Sequence, residues 1–147
     1  MKSLFSWKGK TILIVEDDDN SFIYLSEILK RAEPNILRAK SGLSAFFHCI
    51  NYPRPDIVLM DIKLPEMSGY DSTRLIKKYQ PGIPIIALTA CAMLDEKQQC
   101  LTAGCDAYMS KPALPAEVLH LINSFLTLTN AQEPNYESMS FNQSNWD

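Results

Sequence analysis

The chain predicts an α/β fold, a doubly wound five-stranded parallel sheet covered by helices on both faces. Two patterns carry that expectation. The first is a series of short, wholly apolar runs, chiefly Ile12-Leu13-Ile14-Val15, Ile57-Val58-Leu59-Met60 and Ile85-Ile86-Ala87-Leu88. Strands that never alternate with polar residues are buried on both faces, so each face needs a helix. The second is the set of segments between them, in which apolar residues recur three and four positions apart, the spacing of an amphipathic helix. Strict alternation of the two implies parallel strands joined by right-handed crossovers.

Taken in order, residues 1–9 read as a short leader, with Trp7 placed to cover an edge of the core. Thr11–Val15 is the first strand and ends abruptly in Glu16-Asp17-Asp18-Asp19. Acids at a helix start suit the helix dipole, and Asn20 is able to open the turn. Phe22, Leu25, Ile28, Leu29 and Ala32 then mark a helix that stops before Pro34. Ile36–Ala39 is a shorter, more polar strand, expected towards an edge. Ser41 is positioned to cap a helix through Ala45, Phe46 and Ile50 that breaks at Pro53 and Pro55.

Asp56–Asp61 is the central strand, and Asp61 is the first residue after Ile57 that cannot stay in the apolar interior. It must emerge at the carboxyl end, where open α/β sheets bind ligands. Lys63–Gly69 is a loop in which Glu66 and Met67 need no chemistry. A helix with Leu75, Ile76 and Tyr79 follows and ends at Pro81-Gly82. Pro84–Leu88 is the fourth strand, closed by Thr89-Ala90. A less apolar helix spans Leu94 to Ala103, with Gly104 as its C-cap. Asp106–Met109 is a short fifth strand ending in Ser110-Lys111-Pro112. The last helix carries Leu114, Val118, Leu121, Ile122 and Phe125. The domain so defined covers residues 10–128. Residues 129–147 are polar and aperiodic and read as a flexible tail, in which Tyr136, Phe141 and Trp146 are candidate anchors for a docking segment.

The strand ends gather a distinctive set of side chains. The first contributes Glu16, Asp17 and Asp18, the third Asp61, the fourth Thr89 and the fifth Lys111. Clustered carboxylates repel and raise one another's pKa values, so they need a counter-charge. A hard divalent cation such as Mg²⁺ or Mn²⁺ supplies it, since Mg²⁺ favours one or two carboxylates with waters and a phosphate. Lys111 adds a point charge suited to phosphate, and Thr89 a hydroxyl donor with room beside it at Ala90. This is equipment for a phosphoryl group with its metal. Asp61 is the candidate nucleophile, because carboxylates form aspartyl-phosphates. Each residue alone has a plainer reading: helix cap, strand-end hydroxyl, solvated lysine, half-buried strand aromatic at Tyr108. Only their joint placement selects the phosphoryl pocket.

The chain resembles a response-regulator receiver domain over residues 10–126. The resemblance rests on Ile12–Asp18, Asp56–Gly69, Ile85–Ala90 and Gly104–Pro112, present in that order and at matching separations. It implies a flavodoxin-like (βα)5 sheet of strand order 2-1-3-4-5 and a phosphate-accepting Asp61. It implies Mg²⁺ held by Asp17, by Asp61 and by the backbone carbonyl of Lys63, with Glu16 acting through water. Thr89 and Lys111 would grip the phosphoryl oxygens, Lys111-Pro112 would be a cis peptide, and Tyr108 would turn inward as Thr89 moves. Glu16 stands where many members of the family carry Asp, which keeps the charge and alters the expected metal geometry. Lys63 and Cys91 follow Asp61 and Thr89 by two residues and would flank the phosphoryl group, Lys63 as a screen against water.

The expected role is therefore a signalling switch. A histidine kinase or histidine phosphotransfer protein donates phosphate to Asp61, and a downstream protein reads the result. An Asp-based phosphatase of the haloacid-dehalogenase type is the enzymatic competitor. It wants a second Asp two residues after the nucleophile, where this chain has Lys63, so turnover of outside substrates is not expected. A phosphorylation-independent docking module on the same fold is the other competitor. Read as a whole product, the chain is a stand-alone receiver acting by protein contact, and Lys8-Gly9-Lys10 would equally suit a receiver from a hybrid kinase. The 147 residues are 46% hydrophobic and 21% charged, with a net charge of -3, which gives no reason to expect nucleic acid or an anionic membrane as partner. No signal-peptide core precedes the first strand, so a cytoplasmic location is expected. Cys49, Cys91, Cys100 and Cys105 form no C-x-x-C pair and read as small apolar residues, and His48 and His120 read as helix-surface residues.

Overall fold

A computed structural model describes residues 4–90 and 93–132, with side chains of the final helix described as far as Thr127. The tail residues Tyr136, Phe141 and Trp146, and Cys91 beside the fourth strand, lie outside the described residues. The elements are β1 (Thr11–Val15), α1 (Asp19–Leu29), β2 (Asn35–Ala39), α2 (Gly42–Ile50), β3 (Ile57–Asp61), α3 (Gly69–Tyr79), β4 (Ile85–Thr89), α4 (Leu94–Ala103), β5 (Ala107–Ser110) and α5 (Pro115–Gln132). The strands form one parallel sheet in the order β2-β1-β3-β4-β5. This is the flavodoxin-like (βα)5 arrangement, with β3 at its centre and the more polar β2 at one edge.

Successive residues of β1 and β3 feed opposite layers of core, which is why Ile12–Val15 and Ile57–Met60 hold no polar residue. Ile12, Ile14, Ile57 and Leu59 pack with Leu25, Ile28 and Leu29 of α1 and with Val118 and Ile122 of α5. Leu13, Val15, Val58 and Met60 pack with Ala45 and Cys49 of α2 and Ile76 of α3. Trp7 lies inside the first layer rather than over an edge. It is buried there, and its indole Nε1 donates to Asn123 Oδ1 at 3.0 Å. Cys49, Cys100 and Cys105 are buried free thiols. Burial pushes Cys49 and Cys105 up to about 12, so they pack as inert apolar groups.

Strands β2, β4 and β5 shift by a residue at one or both ends from the sequence reading, and three further boundaries differ for a visible reason. α1 begins at Asp19, with Asp18 rather than Asn20 as the residue that opens it: the Asp18 carboxylate accepts from Ser21 N at 2.8 Å. Asp56 stays outside β3, because its carboxylate accepts from Thr11 N at 2.7 Å and ties the start of β1 to that of β3. Leu114 lies outside α5 and is largely exposed, since it precedes Pro115 and a residue before proline is turned away from the helical region. Ser41 caps α2 as expected, and Gly104 ends α4 with φ 103°, a left-handed conformation natural to glycine.

Candidate phosphoryl-transfer site

The carboxyl ends of β1 and β3, with the residue following β5, bring three of the collected side chains into contact. Lys111 Nζ lies 2.7 Å from Glu16 Oε2 and 3.2 Å from Asp61 Oδ1. Glu16 is 1% exposed and Asp61 6%, so both carboxylates sit at the floor of the cleft. Lys111 is carried there by the sheet itself, because its backbone N–H donates to Thr89 O at 2.8 Å in continuation of the β4–β5 ladder. The Lys111-Pro112 peptide is cis, and Tyr24 of α1 donates its hydroxyl to Ala113 O at 2.7 Å, tying α1 to the loop after β5.

The run of four acids divides its labour. Ligand atoms of Glu16, Asp17 and Asp61 all lie within 4.8 Å of one another, close enough to share one cation. Asp18 does not join them, contrary to the grouping read from the sequence. It is spent on the helix cap, and the backbone N–H and hydroxyl of Ser21 hold its carboxyl below the usual range. Asp19 turns outward to Arg38 at 2.8 Å. The donor set fits a hard divalent cation: three carboxylates with one exposed member, Asp17, and no thiol or imidazole among them.

Electrostatics at Asp61 are dominated by burial. Loss of hydration raises its carboxyl to about 6, the Lys111 ammonium opposes the rise, and Glu16 adds to it. Neighbouring carboxylates are thus a secondary cause, where the sequence suggested them as the main one. Lys111 shows the converse balance. Burial lowers its ammonium, and bonding to Glu16 and Asp61 more than reverses that, so it stays charged. Lys63 donates its backbone N–H to Asp61 Oδ1 at 3.3 Å, while its side chain is exposed.

Two residues of this region were not singled out from the sequence. Arg38 at the end of β2 donates Nε to Glu16 O at 3.1 Å and lies over the Phe22 ring at 4.5 Å, which fixes the acidic loop against α1. Its only signal was a cation within a weakly apolar strand, which reads as edge polarity. Glu96 on α4 accepts a hydrogen bond from the Thr89 hydroxyl. Thr89 itself is buried at the end of β4, and Tyr108 on β5 is half-buried with Lys97 Nζ 5.3 Å from its ring centroid. His120 is exposed and His48 half-buried on their helices, neither within the cleft.

Comparison with known proteins agrees with this geometry. Residues 12–123 match the family model described as the response regulator receiver domain. The polar-differentiation response regulator DivK of Brucella ovis is 34% identical over 119 residues, which are 80% of this chain and 96% of that protein. Among solved structures, the receiver domain of a sensor histidine kinase from Pseudomonas aeruginosa PAO1, with a magnesium ion in its active-site cleft, superposes with TM-score 0.75 at 32% identity. That match covers 82% of this chain and 99% of that one. A CheY-like receiver protein from Methanospirillum hungatei JF-1 gives TM-score 0.76 at 31% identity, covering 84% and 98%.

Proposed function

The chain belongs to the response-regulator receiver family of two-component signalling, and on that premise we propose that it is a phosphorylation switch whose acceptor is Asp61. The observation that carries this reading is the convergence of Glu16, Asp17 and Asp61, two of which, Glu16 and Asp61, share the half-buried ammonium of Lys111. A carboxylate held at the floor of a cleft, beside a cation site, is placed to attack an incoming phosphorus.

The donor in this reading is a phosphohistidine on a histidine kinase or histidine phosphotransfer protein. An Asp61 oxygen forms the new P–O bond, the P–N bond breaks, and the imidazole leaves and takes up a proton. Asp17, Asp61 and the Lys63 backbone carbonyl would hold Mg²⁺ or Mn²⁺, with Glu16 acting through water. When bound, the cation supplies charge neutralisation between carboxylate and phosphoryl oxygens. Lys111 starts on Glu16 and Asp61 and follows the charge onto the phosphoryl group as it arrives. Thr89 turns its hydroxyl to another phosphoryl oxygen, and Tyr108 moves with it. The equilibrium between two surfaces then shifts, because the phosphoryl contacts exist in one state alone. A downstream protein reads that shift.

Turnover of outside substrates is not part of the proposal, because the position two residues after Asp61 is Lys63 rather than an acid. The activity is self-catalysed phosphoryl acceptance and loss. Among the described residues no helix is long and apolar enough to cross a membrane, and we place the switch in the cytoplasm beside its kinase. The test is intact mass after acetyl phosphate or beryllofluoride with Mg²⁺, with Asp61→Asn alongside. One adduct, absent in the variant and without Mg²⁺, supports the switch. A folded, Mg²⁺-supplied protein that takes no adduct is instead a phosphorylation-independent docking module.

A further inference from the structure

Two neighbouring residues of α4 hold the two residues expected to move. Glu96 accepts the Thr89 hydroxyl, and Lys97 reaches over the Tyr108 ring. The helix that carries them is weakly anchored. Only Cys100 and Ala103 of Leu94–Ala103 are buried, and its N-cap residue, Met93, offers no side-chain hydrogen bond, whereas Asp18, Ser41 and Ser68 cap α1, α2 and α3. A threonine hydroxyl has one proton to donate. It cannot serve the Glu96 carboxylate and a phosphoryl oxygen on Asp61 together, and a hydrogen bond to a carboxylate is among the stronger kinds.

We propose that Glu96 is a positioning residue that latches the Thr89 hydroxyl in the unphosphorylated state, so that phosphorylation and the Glu96 bond compete for one proton. The latch rests on the phosphoacceptor reading above. It gives that reading a physical link from the cleft to α4: when Thr89 turns to the phosphoryl group, α4 loses its polar tie to β4. It also sets the resting state, because the intact tie opposes activation.

The experiment is titration of beryllofluoride at saturating Mg²⁺, followed by ¹⁹F NMR, in the wild type, Glu96→Ala, Glu96→Gln, Thr89→Ala and the Thr89→Ala/Glu96→Ala double variant. Losing a hydrogen bond to a charged group that opposes binding is expected to tighten beryllofluoride affinity about tenfold in Glu96→Ala. Glu96→Gln, which keeps the shape without the charge, tightens it less and covers the case in which the alanine variant does not fold. In the Thr89→Ala background the Glu96 change has no further effect. A packing role for Glu96 alters stability in both backgrounds and leaves the affinity ratio at one, which overturns the latch. Failure of the wild type to take beryllofluoride at all overturns the phosphoacceptor reading and the latch with it, and is distinct from binding that ignores Glu96.

Discussion

Lys111 Nζ bridges Glu16 and Asp61, 2.7 Å from one carboxylate and 3.2 Å from the other, although the three residues lie at the ends of three different strands. The bridge makes the cleft a shared electrostatic unit. Removing the ammonium leaves two buried carboxylates facing each other. Lys111→Met is expected to lower stability at neutral pH without metal by on the order of 2 kcal/mol, the penalty for an uncompensated buried charge. Added Mg²⁺ restores part of the loss, because it binds the folded form alone. Urea denaturation with and without Mg²⁺ checks both halves.

The raised Asp61 carboxyl gives a second expectation, with a definite sign. Its folded value is about 6, pushed there first by burial, against about 3.9 in an unfolded chain. The folded state therefore holds the proton more tightly. Ionised Asp61 costs stability that is fully developed above about pH 6 and vanishes as pH falls below about 4. Asp61→Asn removes the cost. Without metal it is expected to stabilise the protein by on the order of 2 kcal/mol at pH 7.5, and by less than half as much at pH 4.5. Denaturation midpoints at the two pH values decide this, and an Asn variant that is less stable at pH 7.5 would contradict it.

Much of this architecture was legible because its strands are extreme. β1, β3 and β4 are buried along their whole length, and only a doubly covered parallel sheet makes such runs necessary. Asp61 stood out for the same reason, as a carboxylate ending an apolar strand. What stayed hidden depends on partners distant in space or ambiguous in type. Any of Asp17, Asp18 and Asp19 is able to cap a helix, and nothing in the run says that Asp18 is used for it. Leu114 sits at helical spacing from Val118, and only the backbone constraint of Pro115 excludes it. Glu96 looks like one more polar residue of a weakly amphipathic helix, because its partner Thr89 belongs to a different element, the end of β4.

Gly69 is the tightest point of the site's scaffold. A Cβ there would lie 2.3 Å from Asp61 O and 2.7 Å from Ile62 Cα, both backbone atoms that cannot swing aside. Gly69 N also donates to Ile62 O at 2.8 Å, so the first turn of α3 is pressed against the end of β3. Gly69→Ala must push the two apart. The expected loss is about 3 kcal/mol, the upper end for overpacking. Because the displaced backbone carries Asp61, beryllofluoride affinity falls with it. Gly82 is the control, with nothing within 4 Å of its added Cβ, and Gly82→Ala is expected to change neither quantity appreciably.

Among the described residues, Asp106 and Lys77 form the most buried ion pair away from the cleft. Their atoms lie 2.8 Å apart, with side chains 7% and 15% exposed. Asp106 Oδ2 also accepts from Ile85 N at 2.8 Å, and Lys77 Nζ donates to Ile83 O at 2.8 Å. One carboxylate thus joins the end of α3 to the start of β4 and the entry to β5. Asp106→Ala removes the ion pair and the acceptor for Ile85 N and leaves the Lys77 ammonium with backbone carbonyls alone in a confined site, for an expected loss of about 3 kcal/mol. Asp106→Asn keeps an acceptor for Ile85 N and so should lose less. Since none of these atoms borders the cleft, beryllofluoride affinity of the folded variants should match the wild type. A stability loss below about 1 kcal/mol in Asp106→Ala would mean that the pair behaves as a surface pair, screened by water despite its burial.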